Sequence, residues 1–280
     1  MMEIWYQLVD AALPFVWCQH TFMKNALLAV LLVAPIFGIL GTMVIANRMA
    51  FFSDAIGHSA LTGIGIGVIC GIGNPLWAMM AFALLFAITI TLVQEAHTAS
   101  TDTIIGVFTS TSVALGIVIL SRQGGFGKYA AFLVGDLLSI TPAEIYLLLG
   151  VLVAVIGLWL VCFNQLLLLS INPSLARSRG IHTRTITILF TSAIAVIVTM
   201  AIQWVGLLII NSLLVLPAAA ARNLAGNVRQ YHALSVAISL ISAIAGLICS
   251  YYWSTATGAT IVLVAAIIYF ATLSLSKRFH

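Results

Sequence analysis

The sequence predicts an all-α, polytopic membrane bundle of eight or nine transmembrane helices, and three observations predict it. The 280 residues are 62% hydrophobic and only 6% charged, with a mean hydropathy of +1.19; charged residues make up about a quarter of an ordinary soluble domain. Apolar runs long enough to cross a bilayer, about 20 residues each, recur from end to end. The few basic residues fall in the connections between those runs. Residues 1–280 read as a single transmembrane domain, with the bundle over 21–280.

The elements follow in order. Residues 3–19 open with Glu3 and Asp10, and no Lys or Arg precedes Lys24, so the basic start of a cleaved signal peptide is missing. They are expected as an extra helix lying at the surface. Spans are expected at about 22–46, 52–71, 75–95, 103–121, 142–163, 185–202, 205–221, 230–251 and 256–275. Between the fourth and fifth, Arg122-Gln123-Gly124-Gly125-Phe126-Gly127-Lys128 leads into Ala130–Val134, which is too short to span and fits a re-entrant or interfacial segment. Residues 164–184 form the longest connection on the basic side. Within it, Asn172 suits an N-cap, Pro173 the first helical position and Gly180 a helix end. A short helix on the cytoplasmic face and an interfacial helix that snorkels its arginines fit that punctuation equally.

With the C-terminus inside, Lys277 and Arg278 share the cytoplasmic side with Arg48, Arg177, Arg179, Arg184, Arg222 and Arg229, leaving Lys24, Arg122 and Lys128 outside. Positive residues concentrate inside in this way in membrane proteins. Trp5, Trp17, Trp77, Trp204 and Trp253 then fall at the outer interface, the level that amphipathic rings prefer. The net charge of +4 follows from that bias, and no nucleic-acid partner is expected. The four cysteines (Cys18, Cys70, Cys162, Cys249) form no CxxC pair and read as small packing residues.

Ser53-Asp54-Ala55-Ile56-Gly57-His58-Ser59 interrupts two apolar runs. A charge at the centre of a membrane helix costs about 2.5–3.5 kcal/mol even on insertion scales, so each one needs a reason. Asp54 and His58 are four residues apart and share one face of a helix; a carboxylate and an imidazole there make half of a metal site. A symmetric dimer with this face on its axis would supply four ligands, a set that suits zinc and is acceptable to manganese. The alternative is structural: Ser53 caps the helix, Asp54 favours its dipole and His58 packs. Gly63, Gly67 and Gly71 follow small-xxx-small spacing and are expected to pack the helix closely. His97 with Asp102 is a weaker candidate pair near a helix start, Asp136 reads as structural or cavity-lining, and Glu144 sits at a helix start. His20, His182, His232 and His280 show no paired spacing. GxxxxGK[ST], HExxH and GxSxG are all absent, so no enzyme site is expected and any ATP hydrolysis belongs to another chain.

These residues in order resemble the membrane permeases of bacterial ABC importers for zinc, manganese and iron. The resemblance runs from Asn47-Arg48-Met49-Ala50-Phe51-Phe52-Ser53-Asp54-Ala55-Ile56-Gly57-His58-Ser59-Ala60 through Asp102–Gly106, Phe132–Leu138, Leu175–Ile181 and Val205–Arg222 to Gly258–Leu263. Ser53 stands where the family often has Gly, and Ala220 replaces a common Thr. Gly135-Asp136-Leu137-Leu138-Ser139-Ile140-Thr141 and Leu213-Leu214-Val215-Leu216-Pro217 look most like the zinc branch. The resemblance implies an ABC importer permease fold like that of the vitamin B12 importer, in the bacterial cytoplasmic (inner) membrane. It implies a homodimeric permease, an extracytoplasmic metal-binding protein outside and two ATPase subunits inside. Residues 172–181 then become a cytoplasmic coupling helix, with Leu175, Ala176, Arg177, Arg179 and Gly180 facing the ATPase, and Asp54 and His58 a step in the path of transported Zn2+ or Mn2+. No covalently bound cofactor is expected. A metal carrier working without ATP is the rival, and an intramembrane enzyme a more distant one.

Overall fold

The computed structural model describes residues 2–12, 14–96, 99–122, 131–207 and 210–276. All its regular elements there are helical. Eight helices are long and apolar enough to cross a membrane: α2 (Thr21–Ala46), α3 (Ala50–Ile69), α4 (Pro75–Glu95), α5 (Thr101–Arg122), α7 (Pro142–Ile171), α9 (Thr183–Val205), α11 (Val228–Trp253) and α12 (Thr257–Ser276). Shorter helices are α1 (Met2–Ala12), α6 (Ala131–Val134), α8 (Pro173–Ser178) and α10 (Ile210–Leu224). By internal contacts the chain resolves into two units, one of residues 1–45, 134–157 and 212–280, the other of 46–133 and 158–211.

In the first unit, α1 is pinned to the start of α2. Trp5 Nε1 donates to the Lys24 carbonyl at 2.9 Å and Tyr6 Oη to Asn25 Oδ1 at 2.8 Å. The buried Lys24 ammonium meets Asp10 at 2.6 Å. The surface helix expected over 3–19 is thus two pieces, α1 and a 3-10 turn at Val16–Gln19. Pro14 stands between them, and proline has no N–H to continue a helix. Further along, α2 approaches α11 at Gly38, where a Cβ would lie 2.7 Å from the Val236 Cα, and Ser235 Oγ donates to the Gly38 carbonyl at 2.7 Å. α11 packs on α12.

In the second unit, α3 is held between α4 and α5, and α9 packs on α4 and α3. Thr62 Oγ1 donates to the Ser112 carbonyl of α5, and Thr91 Oγ1 donates to Thr191 Oγ1 of α9 at 3.1 Å. With few charges to spare, hydroxyls bridge these helices, as in membrane bundles generally.

One expected span takes another form. The run expected over 205–221 is divided: Val205 ends α9, and the regular helix beyond it is α10, Ile210–Leu224, of 15 residues, about 22 Å long at 1.5 Å per residue against a hydrocarbon core of about 30 Å. Gly206, at φ 92°, closes α9 through its N–H to the Ile202 carbonyl, and the next N–H, of Leu207, leaves to bond the Phe132 carbonyl at 3.0 Å. These two backbone donors at the break are met inside the protein, the condition for irregular backbone at membrane depth.

Candidate functional site

α3 is the most buried of the eight long helices in the described structure. It starts at Ala50, after Arg48 turns the chain at φ 57°. From 52 to 65 every residue is buried except Asp54 and His58, whose side chains are 41% and 30% exposed. Asp54 Oδ2 lies 3.7 Å from His58 Nε2, beyond hydrogen-bonding reach but near enough for both to address one ion. The helix therefore presents one narrow polar strip, made of the two residues that the spacing singled out. Among the described residues, no group of three His, Cys, Asp or Glu side chains stands together.

Ser53 is not a cap. It sits inside α3, where its hydroxyl donates to the Ala50 carbonyl at 2.8 Å and to Asn211 Oδ1, in the first turn of α10, at 2.5 Å. Asp54 consequently lies in the second turn, not the first. A Cβ on Gly57 would stand 3.5 Å from Ile210 Cγ2. Ser53 and Gly57 thus place one face of α3 on the helix break, and the Asp54–His58 face is turned about 100° from it. Asn211 carried no role in the sequence reading, because its partner is 158 residues away.

Two of the three glycines pack as expected. A Cβ at Gly63 would come 2.6 Å from the Met79 Cα, and one at Gly67 2.6 Å from the Ala78 Cβ, so α3 and α4 approach closely there. Gly71 does not pack: it lies beyond the end of α3 at φ 68°, with nothing within 4 Å of an added Cβ. Its place is the turn, where glycine enters the left-handed region without penalty.

The short helix α8 has the punctuation read from its sequence. Asn172 Oδ1 accepts from Ser174 N at 3.0 Å and Leu175 N at 3.1 Å, with Pro173 at the first position. At its end, Gly180 at φ 75° donates to the Arg177 carbonyl and Ile181 N to the Ala176 carbonyl, the paired bonds of a Schellman cap. Ala176 is buried, whereas Leu175, Arg177 and Arg179 are exposed. An arginine-bearing face is left open beside the start of α9, which α8 touches.

Asp102 lies in the first turn of α5. Asp136 caps a 3-10 turn, its Oδ1 accepting from Leu138 N at 3.1 Å. Glu144 Oε2 accepts from both the N–H and the hydroxyl of Thr141. None of these three stands with the Asp54–His58 pair in a ligand group. His97, residues 123–130 with Lys128, and Lys277, Arg278 and His280 lie outside the described residues.

The sequence reading also missed a cavity of about 790 Å³ at the ends of several spans in the second unit. It is lined by Arg48, Arg177 and Arg184, and Arg184 Nε pairs with Glu95 Oε2 at 3.2 Å. No motif announces it, because its arginines come from three separate segments.

Known proteins match over this whole frame. The high-affinity zinc uptake system membrane protein ZnuB of Haemophilus influenzae is 31% identical over 255 residues, 90% of this chain and 96% of that one. The manganese import system permease protein ScaB of Streptococcus gordonii is 29% identical over 257 residues, 92% of each. A solved structure, PsaBC from Streptococcus pneumoniae in complex with Fab, superposes with a TM-score of 0.78 at 27% identity, covering 97% of this chain and 95% of that one. The ABC 3 transport family, described as such, matches residues 19–276. A chain with eight membrane-length helices that fits this family almost from end to end is a multi-pass membrane protein and a member of the ABC 3 transport family.

Proposed function

We propose that two copies of this chain form the membrane permease of an ATP-driven importer that carries a divalent metal ion, zinc, across the bacterial cytoplasmic membrane. The supporting observation is the Asp54–His58 strip: the two ionisable side chains of the buried stretch of α3 share one face, and that face is the part left accessible. Doubled about a symmetry axis, it becomes two carboxylates and two imidazoles. Such a set holds a first-row divalent ion. With no third His, Cys, Asp or Glu ligand grouped with it among the described residues, it does so without a closed cage, and an ion in transit must be released. The chemistry in the permease is ligand exchange only.

ATP would act through partner ATPases at the cytoplasmic face, received by the α8 segment through its exposed Leu175 and Arg179, whereas Arg177 lines the cavity beside it. A metal-binding protein would deliver the ion from outside. Zinc is preferred on the zinc-like Gly135–Thr141 and Leu213–Pro217 stretches; relatives named for zinc and for manganese lie at similar identity. The test is uptake of radioactive zinc at nanomolar concentration in cells carrying the permease with its neighbouring ATPase and binding-protein genes. Uptake that needs an active ATPase and resists excess manganese supports the proposal. Uptake blocked by manganese moves the cargo to manganese, and uptake indifferent to a dead ATPase replaces the importer with a carrier.

A further inference from the structure

We propose that the arginine-lined cavity of the second unit is a binding site for the phosphate headgroup of an anionic phospholipid of the cytoplasmic leaflet. Its depth follows from its walls. The ends of α2, α4 and α7 and the starts of α3, α5 and α9 all contribute to it, at Ala46, Glu95, Ile171, Met49, Thr101 and Thr183. Six membrane-length helices that begin or end at one cavity put it at headgroup level. Charge sorts the ligand. Glu95 is engaged by Arg184, which leaves the exposed guanidiniums of Arg48 and Arg177 without an ion pair or side-chain hydrogen bond among the described residues. Basic pockets between spans on the cytoplasmic side are built for lipid phosphates, and a guanidinium matches phosphate oxygens with two parallel bonds.

The apolar wall distinguishes a lipid from a soluble anion. Leu169 and Ile171, at the end of α7, line the same cavity as the arginines. Ile171 is 72% exposed, and α7 carries further exposed apolar residues at Val153, Leu160 and Val161. An acyl chain lying along α7 would thus bring its headgroup to the arginines, whereas free phosphate would gain nothing from that wall. The site requires only that α7 face hydrocarbon; it is independent of which metal is carried.

The test uses the full-length permease, exchanged into detergent with equal amounts of phosphatidylglycerol and phosphatidylcholine and examined by native mass spectrometry. Phosphatidylglycerol is expected to be retained in preference. Arg48→Gln and Arg177→Gln are each expected to cut that retention about fivefold, the effect of one basic residue near a membrane surface. Arg177→Lys, which keeps the charge but not the two parallel bonds, is expected to lose less than Arg177→Gln, and Arg229→Gln, in the other unit, to leave retention unchanged; thermal midpoints confirm that the variants are folded. Equal retention of the two lipids, no loss in the Arg48→Gln/Arg177→Gln double variant, or displacement by millimolar inorganic phosphate would overturn the proposal.

Discussion

Ser53 and Asn211 meet at 2.5 Å, hydroxyl to side-chain amide, and so tie α3 to the first turn of the short helix α10. Ser53 is fully buried, and the residue after it is Asp54. The bond therefore fixes the rotation of α3 against the helix break, and with it the direction in which Asp54 and His58 point. Replacing Ser53 by Ala removes the bond and leaves the Asn211 amide to find another partner. Hydrogen bonds between membrane helices contribute about 0.6 kcal/mol on average and up to about 1.7, so Ser53→Ala is expected to lower stability within that range. It is also expected to slow uptake, while Ser121→Ala, at an exposed hydroxyl bonded only within α5, changes neither. Denaturation in mixed micelles and metal uptake read the two effects.

His58→Ala and Asp54→Ala are expected to separate transport from folding. The pair is 3.7 Å apart and partly exposed, so its loss is expected to move stability by no more than about 0.5 kcal/mol, the scale of an accessible side-chain contact even between full charges. Uptake at limiting metal is expected to fall at least tenfold, because the ligand pair would lose half its donors, about the scale of removing even an outer-sphere partner of a metal site. Wild-type uptake by a well-folded His58→Ala variant would show the pair to be structural.

Much of this was legible because lipid makes polarity expensive. Asp54 and His58 stood out as ionisable groups in an apolar chain, and α8 announced itself through Asn172, Pro173 and Gly180, whose signals are local. What was not legible depends on distant contacts. The run through Val205–Leu216 is apolar on both sides of Gly206, so hydropathy carried one span across a break that is set by a positive φ and by the Leu207–Phe132 bond. Ser53 looked like a cap because it opens the polar stretch between two apolar runs, whereas Arg48, at φ 57°, precedes a helix that starts at Ala50, three residues earlier. Gly71 kept the spacing of Gly63 and Gly67, but the helix had already ended.

The glycines give a graded test. Gly63→Leu drives a side chain into the backbone of α4, since even a Cβ would meet the Met79 Cα at 2.6 Å. Backbone cannot yield as a side chain does, and the expected result is failure of the permease to accumulate in the membrane. Gly71→Ala meets open space and carries only the cost of a left-handed residue, about 1–2 kcal/mol. It is expected to accumulate normally with a lowered thermal midpoint. Equal accumulation of the two variants would mean that α3 and α4 do not approach as described.

The cap of α8 is expected to matter for coupling more than for folding. Asn172→Ala removes two bonds to the first turn, worth about 1 kcal/mol, and Gly180→Ala strains a residue at φ 75° by about 1–2 kcal/mol. A six-residue helix has little else to hold its shape. With both changes, α8 is expected to fray while the eight long helices stay folded. In the complex with its ATPase, the double variant should hydrolyse ATP without stimulation by metal-loaded binding protein. Retained stimulation would place the coupling contact outside α8.

Cysteine labelling checks how α1 closes over α2. Cys18 is 1% exposed, and burial pushes its thiol up; the nearby Lys24 ammonium pulls it down and the Asp10 carboxylate adds a smaller push upward. A raised thiol carries less thiolate at any given pH, and the thiolate is what reacts. Cys70, by contrast, is exposed just past the end of α3. At neutral pH a maleimide is expected to label Cys70 and spare Cys18. Cys18 labelling should rise as the pH climbs through its elevated range, and should reach the Cys70 rate once the protein is denatured. Lys24→Met removes both the downward pull and the bond that holds Asp10. If α1 stays closed, the variant should label more slowly still at Cys18; if the Lys24–Asp10 pair is what closes it, labelling should accelerate as α1 lifts. Three polar bonds hold α1 to α2, and Tyr6–Asn25 and the Trp5 contact to the Lys24 carbonyl do not need the lysine side chain. Slower labelling is therefore the expected outcome.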